Sequence, residues 1–397
     1  MDQQAGNKRV NTENMKIYNV RIYTMNDNDT IIENGYITIN NGVIAEVAEG
    51  KPDKIQTGDI DGKGQTVYPG FIDAHTHLGL TTSGVGIEGE DLNEGVDPCT
   101  PQLRIIDGIN PIDYSFKLAR EAGVTSVLVS PGSTNPVAGL IYALKTQGKR
   151  VDKMIIKPAG MKFSMGENPK ITYMENDDSP CTRMAVASTI REALFKARRY
   201  MNDIERAEEN DDEYPEFDIR SEALIPVLKG ELKAHFHCHR ADDIFTAVRI
   251  SKEFDLDYTL VHCTDGHIIA DELSEENCSA IIGPVICDRC KPEMANLTPK
   301  NAAVLTQNGI KTAICTDHSE VPVEYLPLSV GICIKNGLDF YKGVEAVTKT
   351  AAQIGGIYDK VGSVECGKDA DLVMFEGDPF DVYSSPSLVM INGKTIS

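Results

Sequence analysis

The chain has 397 residues, of which 41% are hydrophobic and 25% charged, so it is long enough to bury a large core without disulfides. It carries 39 basic and 60 acidic side chains, which gives a net charge of −21. A surface this acidic repels phosphate backbones and anionic lipids, and no apolar stretch approaches the ~20 residues that span a bilayer. We therefore expect no nucleic acid and no membrane partner, and we leave a homo-oligomer open.

The start of the chain predicts a tail and a cellular location. Residues 1–14 are polar and lack the apolar run of a secretion signal, so we expect a disordered tail there. Ten cysteines in a long chain of this kind indicate reduced thiols. The sequence therefore predicts a cytoplasmic protein.

The first packed segment has the alternating pattern of β-strands. Residues 16–25 predict one strand, and residues 36–39 and 43–47 flank Asn41-Gly42. Asn-Gly favours a two-residue hairpin because both central positions of that turn need positive φ. No segment before Pro69 has the period of a helix.

The middle of the chain alternates between helices and apolar strands. Asn110 and Pro111 predict a helix start, Gly123 predicts its end, and a strand over 124–129 follows. Three more helix–strand pairs are predicted at 241–254 with 258–262, 265–273 with 280–286, and 301–308 with 311–315. Apolar strands separated by helices are typical of a parallel sheet, and the number of units predicts a (β/α)₈ TIM-like barrel.

The remaining segments set the predicted domain limits. Residues 165–232 are the least regular part, and the nine acids within 203–218 predict an exposed insertion or helix end. The last segment is again strand-like, so both ends of the chain can share one sheet. We predict a tail at 1–14, a small β-sandwich domain from 15–68 and 361–397, and a metal-dependent barrel over 69–360.

Polar side chains follow several of the predicted strands. His75 and His77 end an apolar run, and residues two apart on a strand lie on the same face. His235, His237 and His239 have the same spacing, His262 ends another strand, and Asp317 and His318 follow a fourth. Buried polar groups cost free energy unless they have partners, and one divalent cation would serve most of these. The sequence therefore predicts a metal site at the barrel mouth.

At these residues the sequence resembles a known family. Pro69-Gly-Phe-Ile-Asp-Ala-His-Thr-His77 is similar to the first-strand motif of the amidohydrolase superfamily, in its imidazolonepropionase-related branch. Gly362-Ser-Val-Glu-Cys-Gly-Lys-Asp-Ala-Asp-Leu372 resembles the point where such chains re-enter the small β-domain. The resemblance implies a barrel that holds one or two divalent ions, most often Zn²⁺.

The resemblance also implies the ligands. His75 and His77 match the first strand, His262 the sixth and Asp317 the eighth; His237 matches the fifth, with His235 and His239 as alternatives. Many members carry a carboxylated lysine on the fourth strand. Lys162 is our choice for that position, and Lys157 is the alternative.

The resemblance implies a small-molecule substrate, and the implied reaction is hydrolysis of a C–N bond in a cyclic or linear amide. A divalent cation lowers the pKa of water toward ~7, Asp317 accepts and returns the proton, and the metal or His262 polarises the carbonyl. Arg240, His318 and His239 are candidate substrate contacts because they adjoin the ligands. A dipeptidase or carboxypeptidase, a deaminase, a redox protein that uses Cys287 and Cys290, and a non-catalytic barrel scaffold are the alternatives.

Overall fold

The computed structural model describes residues 14–82, 84–175 and 178–396. Most of the predicted tail therefore lies outside the described residues, and Asn14 already begins the first strand. In chain order the strands are β1 Asn14–Tyr23, β2 Ile31–Asn40, β3 Val43–Glu49, β4 Ile60–Asp61, β5 Thr66–Pro69, β6 Phe71–Thr76, β7 Val124–Val129, β8 Val137–Lys145, β9 Ile155–Ser164, β10 Ala234–Cys238, β11 Tyr258–His262, β12 Ser279–Ile282, β13 Lys311–Ile314, β14 Leu372–Phe375, β15 Leu388–Ile391 and β16 Lys394–Thr395.

Among the described residues, seven α-helices lie between strands of the middle segment, and three follow its last strand, β13. They are α1 Tyr114–Glu121, α2 Glu167–Glu175, α3 Arg183–Asn210, α4 Ile219–Leu228, α5 Ala241–Phe254, α6 Ala270–Ser274, α7 Asn301–Gln307, α8 Leu326–Lys335, α9 Phe340–Ala346 and α10 Lys349–Ile354. Within the ranges that the structure describes, no helix has the length and apolar character needed to cross a bilayer.

Strands from both ends of the chain form one sheet, which we call the terminal sheet. Its order is β16-β15-β14-β5-β1-β2-β3, with β4 beside β1. The two ends meet where β5 pairs antiparallel with β14. The predicted hairpin between β2 and β3 is confirmed, with φ of 51° at Asn41 and 84° at Gly42. That this sheet is a separate β-sandwich domain stays a prediction.

The second sheet is a nearly closed barrel of the eight strands β6 to β13, in sequence order. Its two edges meet at one rim, where the backbone N–H of His77 donates to the carbonyl of His318 over 2.9 Å. The backbone N–H of Asp317 likewise donates to the carbonyl of His75 over 3.2 Å. Helix α10 packs against both edge strands, β6 and β13.

The expectation of an all-parallel barrel is wrong at one strand. β8 runs antiparallel to both of its neighbours, β7 and β9, whereas the other neighbouring pairs are parallel. The cause is the connection from β7 to β8, which is only residues 130–136. A parallel crossover needs a dozen or more residues, so this connection forces a reversal of direction.

Two helix predictions also need correction. α1 begins at Tyr114, because Asp113 caps it through a 2.9 Å hydrogen bond from the backbone N–H of Ser115. Asn110 instead accepts a hydrogen bond from the N–H of Ile112 in a local turn. The segment 165–232, predicted to be irregular, holds α2, α3 and α4, and the acidic run covers the end of α3 and the exposed connection to α4.

Candidate metal centre

The barrel rim brings together three side chains from its two edge strands. The Oδ1 atom of Asp317 lies 3.4 Å from Nε2 of His75 and 3.2 Å from Nε2 of His77. The ligand atoms of this set lie within 4.8 Å of one another, and all three residues are buried. His75 lies in β6 and His77 directly follows its end, so the two converge because alternate residues of an extended chain share a face. Asp317 joins them because the strand edges meet here.

The hydrogen bond of the His77 ring indicates whether His75, His77 and Asp317 can bind a cation together. The Nδ1 atom of this ring lies 2.7 Å from the carbonyl oxygen of Ser130. A carbonyl only accepts, so Nδ1 donates to it, and Nε2 faces the carboxylate of Asp317 at 3.2 Å. A cation between Nε2 and the carboxylate would be bound by both, and the carbonyl of Ser130 would orient the ring from behind. This donor set therefore fits a divalent metal.

A second set of imidazoles adjoins the first. The ligand atoms of His237, His239 and His262 lie within 4.8 Å of one another, and the rings of His262 and His75 have their centroids 5.4 Å apart. His262 donates Nδ1–H to the carbonyl of Gly283 over 2.6 Å, so its Nε2 is also a free base. The Nδ1 atoms of His237 and His239 contact Ser133 Oγ at 2.8 Å and Thr264 Oγ1 at 2.7 Å.

Burial sets the charge of these groups. It lowers the pKa of His75, His237 and His239 well below the ordinary value and that of His262 to about 4. The imidazoles are therefore neutral near pH 7, which is the form that binds metals. Burial alone would raise the pKa of Asp317, but the surrounding imidazoles hold it well below the usual value.

The fourth barrel strand, β9, places its two candidate lysines very differently. Lys162 is fully buried, and its Nζ lies 3.4 Å from Nε2 of His75. Burial lowers the pKa of Lys162 to about 8, so part of its amine is uncharged near neutral pH. Lys157 is exposed and donates to the carbonyl of Gly356 instead. The structure therefore brings Lys162, and not Lys157, to the two histidine sets.

The three histidines of β10 and its end also separate. His237 and His239 belong to the second set, whereas His235 lies deeper, with its ring against the backbone of Gly160. Both ring nitrogens of His235 are buried and lack a hydrogen-bond partner within the described residues. Its position two residues before His237 on the same face explains why the spacing alone did not distinguish them.

Sequence reasoning missed Glu293, which lies beside the second set. Its side chain is fully buried, and its Oε1 is 3.6 Å from Nε2 of His239 and 3.9 Å from Nε2 of His237. Lys291 Nζ lies 2.9 Å from the same oxygen. Glu293 sits in a short helical turn, Pro292–Met294, after the seventh barrel strand. A single glutamate in a loop carries no periodic signal that could have identified it.

The centre opens into a cavity of about 330 Å³, lined among others by His77, His237, His239, Lys291 and Asp317. A neighbouring cavity of about 290 Å³ shares four lining residues with it, Leu92, Asn93, Gly132 and Thr134.

Two predicted substrate contacts lie outside this lining. Arg240 is exposed and pairs with Asp242. His318 is buried and accepts a hydrogen bond from the N–H of Val323. Of the three candidate contacts, His239 is the one that reaches the cavity.

A mixed α/β barrel whose rim carries groups of histidine and aspartate side chains is typical of metal-dependent hydrolases. Comparison with known proteins identifies the family within this class. A model of the amidohydrolase family matches residues 258–396. The crystal structure of an amidohydrolase from Thermotoga maritima MSB8 is 35% identical, covers 96% of this chain and 99% of that one, and has a TM-score of 0.91. The chain belongs to the amidohydrolase family, as its sequence resemblance predicted.

Two further relatives agree with this assignment. Amidohydrolase tasK of Hapsidospora irregularis is 27% identical over 389 residues, which are 90% of this chain. The chain spans only 39% of the length of that protein. Imidazolonepropionase of Geobacillus kaustophilus is 24% identical over 387 residues, covering 87% of this chain and 84% of that protein.

Proposed function

We propose that this protein is a metal-dependent enzyme that hydrolyses a C–N bond in a cyclic or linear amide of a small molecule. The observation that carries this proposal is the convergence of His75, His77 and Asp317, in which Nε2 of each histidine faces the same carboxylate oxygen. Nitrogen and carboxylate ligands around an open position are typical of catalytic zinc, so Zn²⁺ is the metal we propose. We also propose a cytoplasmic location, because a reduced environment suits the ten free cysteines.

The residues of the candidate metal centre can hold one or two divalent ions. His75, His77 and Asp317 would hold the first ion. His237 and His262 would hold a second, and Lys162 would add a ligand if its neutral amine reacted with CO₂ to form a carbamate and release a proton. The buried, partly uncharged amine of Lys162 supports that modification, because only the neutral amine is nucleophilic.

The reaction follows from the residues around the cavity. A bound divalent cation supplies Lewis-acid chemistry, which lowers the pKa of water and polarises a carbonyl. Asp317 is ionised at neutral pH and accepts a proton from the attacking water. As the water oxygen bonds to the carbonyl carbon and the C–N bond breaks, Asp317 returns that proton to the leaving nitrogen. The products are a carboxyl group and an amine.

The rival reactions of the family differ in their products. A deaminase releases ammonia, a dipeptidase or carboxypeptidase releases an amino acid, and a lactam hydrolase opens a ring without releasing either. A non-catalytic scaffold would purify without bound divalent metal. Product analysis of each reaction, together with metal content per chain, therefore distinguishes these alternatives.

The test is Asp317→Asn in protein loaded with Zn²⁺, assayed against a panel of amides and lactams. Because the amide cannot accept the proton, we expect kcat to fall by about 10²–10⁴-fold while the circular dichroism spectrum stays unchanged. Asp359→Asn, at an exposed position outside the cavity, is the matched control and should keep full activity. The proposal fails if no substrate of the panel is hydrolysed in a way that Asp317→Asn abolishes.

A further inference from the structure

The wall of the metal cavity carries one ammonium group. Among the described residues that line this cavity, Lys291 is the single lysine or arginine, and its side chain is 26% exposed. Its Nζ lies 2.9 Å from Oε1 of Glu293 and donates to Oδ1 of Asn168 over 2.9 Å. An ammonium group has three N–H donors, so one donor of Lys291 stays available to a molecule in the cavity.

The partners of Lys291 hold its ammonium group in place. The side chain of Glu293 is fully buried, and its Oε2 accepts the backbone N–H of Glu167 over 2.9 Å. Glu167 and Asn168 are the first two residues of α2, so a helix fixes both partners. A free lysine side chain loses about 2 kcal/mol of rotamer entropy when it is immobilised. Because Lys291 is already ordered, a group that binds to it avoids most of this cost.

Only one carboxylate separates Lys291 from the histidines of the candidate metal centre. The Oε1 atom of Glu293 that contacts Lys291 lies 3.6 Å from Nε2 of His239 and 3.9 Å from Nε2 of His237. A small substrate whose amide reaches the metal position can therefore place a second group beside Lys291. The cavity volume of about 330 Å³ lies at the lower end of the range for ligand pockets, which suits a small molecule.

The charges around the cavity favour a negatively charged group beside Lys291. The chain has a net charge of −21, and the carboxylates of the lining are Asp317 at the metal position and the exposed Glu320. This overall charge repels an anionic molecule, so its recognition requires a local cation. An ammonium binds a carboxylate through a charge-assisted hydrogen bond, which is about twice as strong as a neutral one.

The contact with Glu293 offers a purely structural explanation for Lys291. If the lysine only neutralised the buried carboxylate, its removal would disturb the metal centre and weaken the binding of anionic and neutral molecules alike. If the lysine binds the substrate, its removal weakens the binding of anionic molecules alone. Comparison of anionic with neutral ligands therefore distinguishes the two explanations.

We propose that Lys291 determines substrate specificity, and that the substrates are small amides that carry a carboxylate. Lys291 donates its remaining N–H to that carboxylate while the amide carbonyl faces the metal position. Glu293 and Asn168 are positioning residues in this arrangement, because they hold the ammonium without contacting the substrate carboxylate. The inference rests on the proposed function, since it names the substrate class of that reaction.

The experiment measures the binding of matched probes to zinc-loaded protein by isothermal titration calorimetry. Each pair consists of an N-acetyl amino acid and the corresponding N-acetyl amino alcohol, in which a hydroxymethyl group replaces the carboxylate. We expect wild type to bind the acid at least about tenfold more tightly than the alcohol. Lys291→Met should weaken the binding of the acid by about 10–100-fold and that of the alcohol by less than about twofold.

Two further variants serve as controls. Lys291→Arg keeps the positive charge and should keep the preference for the acid. Lys300→Met removes a positive charge from an exposed position outside the cavity, in the same connection between β12 and α7, and should bind both probes like wild type. Binding of the alcohol by Lys291→Met shows that the cavity of this variant is intact.

Probes that are hydrolysed give a second readout. For these, Lys291→Met should raise KM for the acid and change kcat little, because the contact lies away from the reacting atoms. Selective binding of acids without hydrolysis of any probe supports the role of Lys291 and counts against the proposed function alone. The inference is overturned if wild type binds no acid more tightly than its alcohol, or if Lys291→Met loses affinity for both equally.

Discussion

Two residues of the candidate centre have an unusual backbone. His262 and Asp317 have φ of 70° and 56°, in the left-handed region that residues other than glycine rarely occupy. Each costs roughly 1–3 kcal/mol, and such residues cluster at functional sites where the surrounding structure fixes them. His262 is the last residue of the apolar strand β11 and Asp317 follows β13, so both lie at the rim of the barrel.

The two lysines of β9 give a sharp test at the residue scale. Lys162→Met removes the buried amine beside His75, so we expect loss of one bound ion and of most activity. Lys157→Met changes an exposed side chain of the same strand and should change neither. Zinc content and kcat measured with and without added bicarbonate check this. Equal zinc content and activity in the two variants would contradict the role proposed for Lys162.

The site residues differ in how well a sequence can reveal them. His75, His77, His262 and Asp317 follow apolar strands, and the ends of parallel strands meet at one rim, so their convergence could be predicted. Glu293 could not be predicted, because its approach to His239 depends on the path of a loop. Sequence periodicity can therefore predict site residues that lie on strands or at strand ends, but it cannot predict those that lie in loops.

At the scale of elements, α3 shows how a strong signal can be overlooked. Its buried residues Val186, Ile190, Leu194 and Ala197 have the spacing of one helix face. The sequence nevertheless predicted an irregular segment, because the acidic run that overlaps the end of α3 dominated the composition. A solvated helix end tolerates such a run, since its charges face water.

The start of α4 offers a pH-dependent prediction. Asp218 caps this helix through the N–H of Arg220 and pairs with Lys196 of α3 at 2.8 Å. Burial opposes the shift, but Lys196, Ser221 and the Arg220 N–H lower the pKa of Asp218 to about 2. The unfolded pKa is about 3.9, so the stabilisation is present above pH 4 and is lost as pH falls toward 2.

We therefore expect Asp218→Ala to lower the free energy of unfolding by about 1 kcal/mol at pH 7. The difference from wild type should shrink as pH falls below 4, because the wild-type carboxylate then becomes protonated. Urea unfolding at several pH values measures it. Asp212→Ala, at an exposed position of the same connection, is the control. A difference that does not change between pH 7 and pH 3 would argue against this role of the carboxylate.

At the scale of the whole molecule, one buried ion pair joins the two sheets. Lys145, the last residue of β8, contacts Asp371 at 2.6 Å, next to β14. Both side chains are almost fully buried, and Asp371 also accepts the N–H of Asn392. Burial raises the pKa of Asp371, and the neighbouring Lys145 ammonium opposes that shift.

Lys145→Met tests this junction. Removing one partner leaves a buried carboxylate, so we expect a loss of about 3–5 kcal/mol at pH 7. The loss should be smaller at acidic pH, where Asp371 can take up a proton. Chemical denaturation gives the values, and Lys149→Met is the exposed control. If Lys145→Met unfolds like wild type at pH 7, the pair does not stabilise the junction.

The general architecture could be predicted because the hydrophobic periodicity of the sequence is strong. Alternating helices and apolar strands predicted a barrel, and strand patterns at both ends predicted a shared sheet. The reversal of β8 was not predicted, because a buried strand has the same apolar composition whichever way it runs. Only the length of its connections, at residues 130–136 and 146–154, indicates the direction.

The pairing of β5 with β14 also has a consequence for biosynthesis. Residues 66–69 leave the ribosome about 300 residues before their partner strand at 372–375. At a translation rate of about 5–20 residues per second, the edge of β5 that pairs with β14 stays unpaired for roughly 15–60 seconds. An open strand edge is a template for pairing with other chains, so premature termination ahead of β14 yields an aggregation-prone product.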